Sequence, residues 1–212
     1  MLQYTVRDYV REDLEECTDC YIGGFFEKSL PKDRKFIRDC MDALVGISNF
    51  MLVAETGGKI AGFLGASYKE SFNKELSKTS NVPGRHNSFR TIGMKRRLGL
   101  YRLSKEFKTE FKRFLTEVMM KPNITNDCDC EIVVLSSRKD LRKGVGTALV
   151  NEMIVRCLEN NVSRIRIATD TSWNHSFYGR FGSVVYEKEH VINGVTGTTF
   201  VYEISLESEK ID

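Results

Sequence analysis

One continuous stretch constrains this chain more than any other. An apolar run, EIVVLSS, leads through a glycine-containing turn into GVGTALVNEMIVRCLENN, and an alternating run, SRIRIATD, follows. In the middle segment Val150, Ile154 and Leu158 recur at i, i+4 and i+8 with Leu149, Met153 and Cys157 alongside, which is the spacing of a helix face. Ile165 and Ile167 alternate with Arg164 and Arg166, the period of a strand. Strand, helix and strand in this order form a right-handed crossover with parallel strands, so the chain is of the α/β class.

The rest of the chain is organised around that unit. Residues 3–10 read as a strand, 12–28 as an amphipathic helix despite two glycines, and a second helix follows Pro31 with Phe36, Ile37, Cys40, Met41, Leu44 and Val45 on one face. NFMLVAET and KIAGFLGASY are β-rich runs divided by Gly57-Gly58, a two-residue hairpin signal. A second hairpin, SVVYEKEHVI and VTGTTFVYEISL, turns at Asn193-Gly194. Residues 70–127 interrupt this alternation with a polar stretch and then an apolar stripe of Phe107, Phe111, Phe114, Leu115 and Val118, which predicts a helical insertion.

Charge separates the insertion from the remainder. Residues 69–121 hold fourteen Lys and Arg against five Asp and Glu, whereas the whole chain of 212 residues has a net charge of only +3. That modest total argues against nucleic acid as the partner. No secretory signal and no transmembrane-length apolar run is present, so a cytoplasmic protein with no membrane association and six reduced cysteines is expected. Cys17-x-x-Cys20 lies in a helical stripe and Cys128-x-Cys130 lacks the usual two-residue spacer, so no metal is expected. One domain spanning 1–212 suffices for a chain of this length.

The chemistry concentrates where the apolar strand meets the helix. Gly144 and Gly146 fall at the helix start, where unpaired amides and the positive end of the helix dipole make an anion site, with Arg138, Lys139, Arg142 and Lys143 adding charge. The loop is not a Walker A motif, because no Gly-Lys-Ser/Thr follows a glycine four residues earlier. Nor is it a Rossmann fingerprint, because a third glycine is missing.

LRKGVG resembles the Gln/Arg-x-x-Gly-x-Gly/Ala loop of the GNAT superfamily of acyl-CoA-dependent N-acyltransferases, with Leu141 where Gln or Arg is usual. WNHSFYGRFG is similar to the same family's Asn-x-x-x-Phe-Tyr-x-x-x-Gly segment, and the element order matches outside 70–127. The resemblance implies a GNAT-like mixed, mostly antiparallel twisted sheet flanked by helices. It implies acetyl-CoA as cosubstrate, with its pyrophosphate on Arg142, Lys143, Gly144, Val145, Gly146 and Thr147 and its pantetheine arm along Leu135 and Ser136 with help from Asn174.

By the same resemblance Tyr178 would be the general acid that protonates the departing CoA thiolate, a task suited to a phenol that stays protonated at neutral pH. A backbone amide at a bulge in the preceding strand would polarise the thioester carbonyl. Glu131 stands near the family's catalytic glutamate but one residue out of register, so a strand bulge is needed to align it as base. His175 reads as a helix-surface residue.

The acceptor is an amine of unknown identity, anionic if the basic insertion faces it, and a homodimer stays open. The rival to catalysis is a non-catalytic acyl-CoA-binding sensor or interaction module.

Overall fold

A computed structural model describes residues 3–25, 34–48, 50–68, 128–141, 143–171, 173–192 and 195–206. The expected insertion at 70–127, the turn at Asn193-Gly194 and Arg142 lie outside the described residues.

The strands are β1 (Thr5–Asp8), β2 (Phe50–Thr56), β3 (Lys59–Tyr68), β4 (Cys130–Ser137), β5 (Arg164–Asp170), β6 (Ser183–Ile192) and β7 (Val195–Ser205). The helices are α1 (Leu14–Phe25), α2 (Arg34–Ile47) and α3 (Val145–Glu159), with short 3-10 helices at Arg11–Asp13 and His175–Arg180. The strands form one seven-stranded sheet in the order β1-β2-β3-β4-β5-β7-β6. Among the described strands only the β4–β5 pair is parallel, as the crossover through α3 requires. The fold class expected from sequence is the one observed.

Local chemistry accounts for the boundaries. Gly57 and Gly58 close the β2–β3 hairpin with φ of 56° and 72°, values that side chains disfavour at two successive positions. The first helix begins later than 12, because Asp13 turns back on the chain: its carboxylate accepts from the Val10 amide at 2.8 Å and from both terminal nitrogens of Arg7. Gly24, which weakens α1 by propensity, lies close against β4, where a Cβ would fall 2.3 Å from Ser136 Oγ.

Each sheet face carries its own core. On one face α1 and α2 cover Met51, Val53, Phe63 and Val134 with Cys17, Cys20, Tyr21, Ile37, Met41 and Leu44. On the other, α3 covers Leu52, Leu64, Cys130, Ile132, Ile165 and Ile167 with Leu149, Val150, Met153 and Cys157. Leu158, expected on the buried stripe of this helix, is exposed, and the contact runs through Leu149, Met153 and Cys157 instead. Cys17 and Cys20 therefore lie across the sheet from Cys130, and all six cysteines are buried free thiols. Among the described residues no cluster of His, Cys, Asp and Glu could hold a metal ion, and no helix is long and apolar enough to cross a membrane.

Candidate active site

The site is shaped by one extra residue in β4. Gly65 pairs with Val134 and the next residue, Ala66, pairs with Ile132, so Val133 is an unmatched bulge. The bulge reverses the alternation: Cys130 and Ile132 serve the core beneath α3, whereas Val134 serves the core beneath α1 and α2. It also ends the parallel pairing. Register partners between β4 and β5 are Cys130↔Ile165, Glu131↔Arg166 and Ile132↔Ile167, and there the ladder stops. Beyond this vertex, among the described residues, β4 keeps only β3 as a partner and β5 keeps only β7. A V-shaped cleft opens, with the free edge of β4 at Val133–Ser137 presenting backbone groups that the sheet does not satisfy. Leu135 and Ser136 lie on that edge; the Ser136 hydroxyl is turned away and donates to the Cys20 carbonyl at 2.9 Å.

At the open end of the cleft Arg138–Leu141 follow β4, and Gly144 leads into α3. Gly144 caps the helix with φ 92°, a left-handed conformation suited to glycine. The first intrahelical bond runs from the Ala148 amide to the Gly144 carbonyl at 2.9 Å, and no side chain caps the helix, so the amides of Val145, Gly146 and Thr147 point out of its N-terminus. Lys143 is exposed beside them. Arg138, expected to add charge here, is committed to Asp140 at 3.3 Å, which offsets it.

Tyr4 and Arg180, which sequence reasoning passed over, build this corner together with Leu141 and Phe177. The Tyr4 hydroxyl donates to the carbonyls of Leu141, at 2.7 Å, and Lys143, at 2.9 Å, tying the start of the chain to the loop. Leu141, at the position where the family pattern has a polar side chain, instead packs on the α3-side core. Phe177 lies against Gly146, where a Cβ would meet its ring at 3.0 Å. Arg180 stacks over that ring, 5.0 Å from its centroid, with Nη1 3.5 Å from Thr147 Oγ1. Its position two residues after Tyr178 and a basic side chain were the available signal.

The 3-10 helix His175–Arg180 packs on the α3-side core through Phe177 and Tyr178. Asn174 precedes it, accepting from the Ser176 hydroxyl at 3.2 Å and, through its carbonyl, from the Phe177 amide. Tyr178 is half-buried between Phe177, 5.1 Å away edge to face, and Tyr202, 6.0 Å away, and burial pushes its phenol above the ordinary value of 10.0. His175 is not the surface residue expected: its ring stacks on Phe200 at 4.5 Å and 10°, and Nδ1 is enclosed with no hydrogen-bond partner among the described residues.

Glu131 sits one residue before the vertex. Its neighbours Cys130 and Ile132 face α3, so its side chain projects from the α1 and α2 face, opposite Tyr178. The bulge that its alignment required lies at Val133, between Glu131 and the loop.

No protein-family model matches the chain, and neither does any curated protein sequence. Solved structures do match over nearly the full length. The ribosomal-protein-S18-alanine N-acetyltransferase from Escherichia coli is similar at 10% identity and a TM-score of 0.54, with 99% of each chain covered. A proposed acetyltransferase of the GNAT family from Desulfovibrio desulfuricans shares 9% identity at 0.54, over 96% of this chain and 99% of its own. A proposed acetyltransferase from Salmonella typhimurium, solved with its cofactor acetyl-CoA, shares 12% at 0.54, over 99% and 98%. The chain has the fold of the GNAT N-acetyltransferases.

Proposed function

We propose that the chain, as one domain over 1–212, transfers an acetyl group from acetyl-CoA to a primary amine. The observation that carries this reading is the V-shaped opening between β4 and β5 followed by the uncapped amides at the start of α3, with Tyr178 packed on the α3-side core. A pantetheine arm contains two amides and fits an unpaired strand edge at Leu135 and Ser136, while a pyrophosphate suits the amides of Val145, Gly146 and Thr147 with Lys143 and Arg142 nearby in sequence. Asn174, at the entrance to the 3-10 helix, is the side-chain contact for the arm.

In the reaction the amine nitrogen attacks the thioester carbonyl carbon, the carbon–sulfur bond breaks, and the Tyr178 hydroxyl gives its proton to the leaving thiolate. Glu131 accepts the proton lost by the amine, directly or through water. Catalysis comes mainly from holding the two substrates in line across the sheet. The acceptor is an amine, and the basic composition of residues 69–121 favours one that carries an anionic group beside it.

Calorimetric titration with acetyl-CoA, followed by thiol release in the presence of a panel of amines, tests the reading. Gly144→Ala strains the left-handed turn, and Gly144→Asp adds a carboxylate at the anion site, so the second should lose more affinity than the first. A parent chain that binds no acetyl-CoA rejects the proposal. Binding with no transfer to any amine favours a non-catalytic acyl-CoA sensor.

A further inference from the structure

The parallel pairing that ends at the cleft vertex carries a row of charge directly behind it. Glu131 on β4 is the register partner of Arg166 on β5, and Arg166 is the register partner of Glu203 on β7. The residues on either side of each, Cys130 and Ile132, Ile165 and Ile167, and Ile204, belong to the core beneath α3. Alternation therefore sends all three side chains to the opposite face, where they form one line across three strands.

The line is enclosed. Arg166 is only 9% exposed, and its Nε donates to Glu203 Oε2 at 2.7 Å, with both side chains largely withdrawn from water. The Oε1 atom of Glu131 is likewise sealed from solvent. Burying a guanidinium is costly unless a partner holds it, and a well-packed apolar pair would serve the fold at least as well. A charged row at this place is thus poorly explained by stability alone. Its place one residue from the point where β4 and β5 part gives it another use.

We propose that Arg166, anchored by Glu203, is a positioning residue that fixes the carboxylate of Glu131 at the acceptor side of the cleft. The proposal rests on the acyl-transfer reading for its chemistry, since Glu131 is the group that takes the acceptor's proton. Glu203 sets the direction of the guanidinium, and the register places that guanidinium beside Glu131, whose side chain it orients. The order of the row matters: the cation stands between two anions, so neither acidic group is next to the other.

The test uses the full chain carrying glutamate labelled with carbon-13 at the carboxyl carbon, with the Glu131 signal identified by its loss in Glu131→Gln. In Arg166→Met the signal should move by more than its linewidth, and in Arg166→Lys it should return part of the way. The double variant Arg166→Met with Glu203→Leu replaces the ion pair by an apolar pair and keeps the comparison valid if the single variant unfolds. A Glu131 signal that stays in place in the folded variants overturns the proposal. Kinetics with whichever amine the screen identifies provide a second readout: kcat should fall by about 100-fold, the scale of a small misplacement at a reacting centre, with acetyl-CoA affinity unchanged. Equal losses in kcat and in acetyl-CoA affinity would mark Arg166 as structural only and overturn the proposal as well. A parent that fails to bind acetyl-CoA would instead reject the acyl-transfer reading, and the Glu131 signal would still decide whether Arg166 positions it.

Discussion

The ring of Phe177 occupies the space that a side chain on Gly146 would need, with its Cζ atom 3.0 Å from the position of that Cβ. Through this contact the first turn of α3 sets the position of the 3-10 helix that carries Tyr178. Gly146→Ala should require a shift of a few tenths of an ångström, whereas Gly146→Leu should displace Phe177 outright at a cost of about 1–3 kcal/mol. Thermal unfolding should rank the two in that order, and acetyl-CoA turnover should fall more in the leucine variant. Equal melting temperatures for both would show that the contact is slack.

Tyr4→Phe removes the hydroxyl that bridges the carbonyls of Leu141 and Lys143 without changing the ring. A loss of about 1 kcal/mol in stability is expected from these hydrogen bonds. If the loop holds the pyrophosphate, acetyl-CoA affinity should weaken about fivefold, the equivalent of that energy. Calorimetry on the folded variant gives the answer, and unchanged affinity would separate the loop's anchoring from ligand binding.

Tyr178→Phe should lower kcat by about 100-fold or more while leaving the acetyl-CoA dissociation constant within twofold, because the proton is needed only as the thiolate forms. Burial raises the phenol of Tyr178 above its ordinary value of 10.0, so the protonated form persists across the neutral range. The alkaline limb of the kcat profile should accordingly begin above pH 10 and disappear in the variant. A limb near pH 8 that survives the substitution would assign the acid elsewhere.

Much of the architecture was legible because it is written in side chains. The crossover through α3 and the Gly57-Gly58 turn follow from period and turn chemistry and appear where expected, whereas α1 starts at Leu14 rather than at 12. A bulge in this strand was expected from the resemblance, but its place at Val133 was not legible in EIVVLSS, since the apolar run of residues 132–135 conceals which residues face which core. The place of Leu158 was missed for a related reason: two overlapping stripes fit the α3 sequence, and only the sheet decides between them. At the candidate site, Gly144 and Gly146 stand out by type and spacing, and Tyr178 only by the resemblance of its segment. Tyr4 could not, because its partners are carbonyls 137 and 139 residues away and carry no side-chain signal.

The buried thiols make a further case. Burial pushes Cys20 up to about 12 and raises Cys17 and Cys130 well above the ordinary 9.0, whereas a hydrogen bond from Cys130 lowers Cys157 within the same closed core. The native chain should therefore react slowly with thiol reagents, and all six cysteines should react once it is unfolded. The sign for stability follows from the raised values of Cys17, Cys20 and Cys130. Their protonated forms favour the fold fully below about pH 9, and that contribution is lost as pH rises towards the folded values. Denaturant midpoints measured between pH 7 and 10.5 should fall at the alkaline end. Rapid labelling of native protein at pH 7 would contradict the closed cores.

The bulge at Val133 also bears on how such a chain can drift. The free edge it creates along β4 consists of main-chain amides and carbonyls, whose placement depends on where one extra residue falls and hardly at all on which side chains follow it. Mutation can exchange almost every neighbouring residue without altering that edge, but a single deletion at this point would restore continuous pairing and seal the sheet. In this architecture length is the guarded quantity and composition the free one, so an insertion or deletion in the eight residues of β4 should be far more consequential than many substitutions around it.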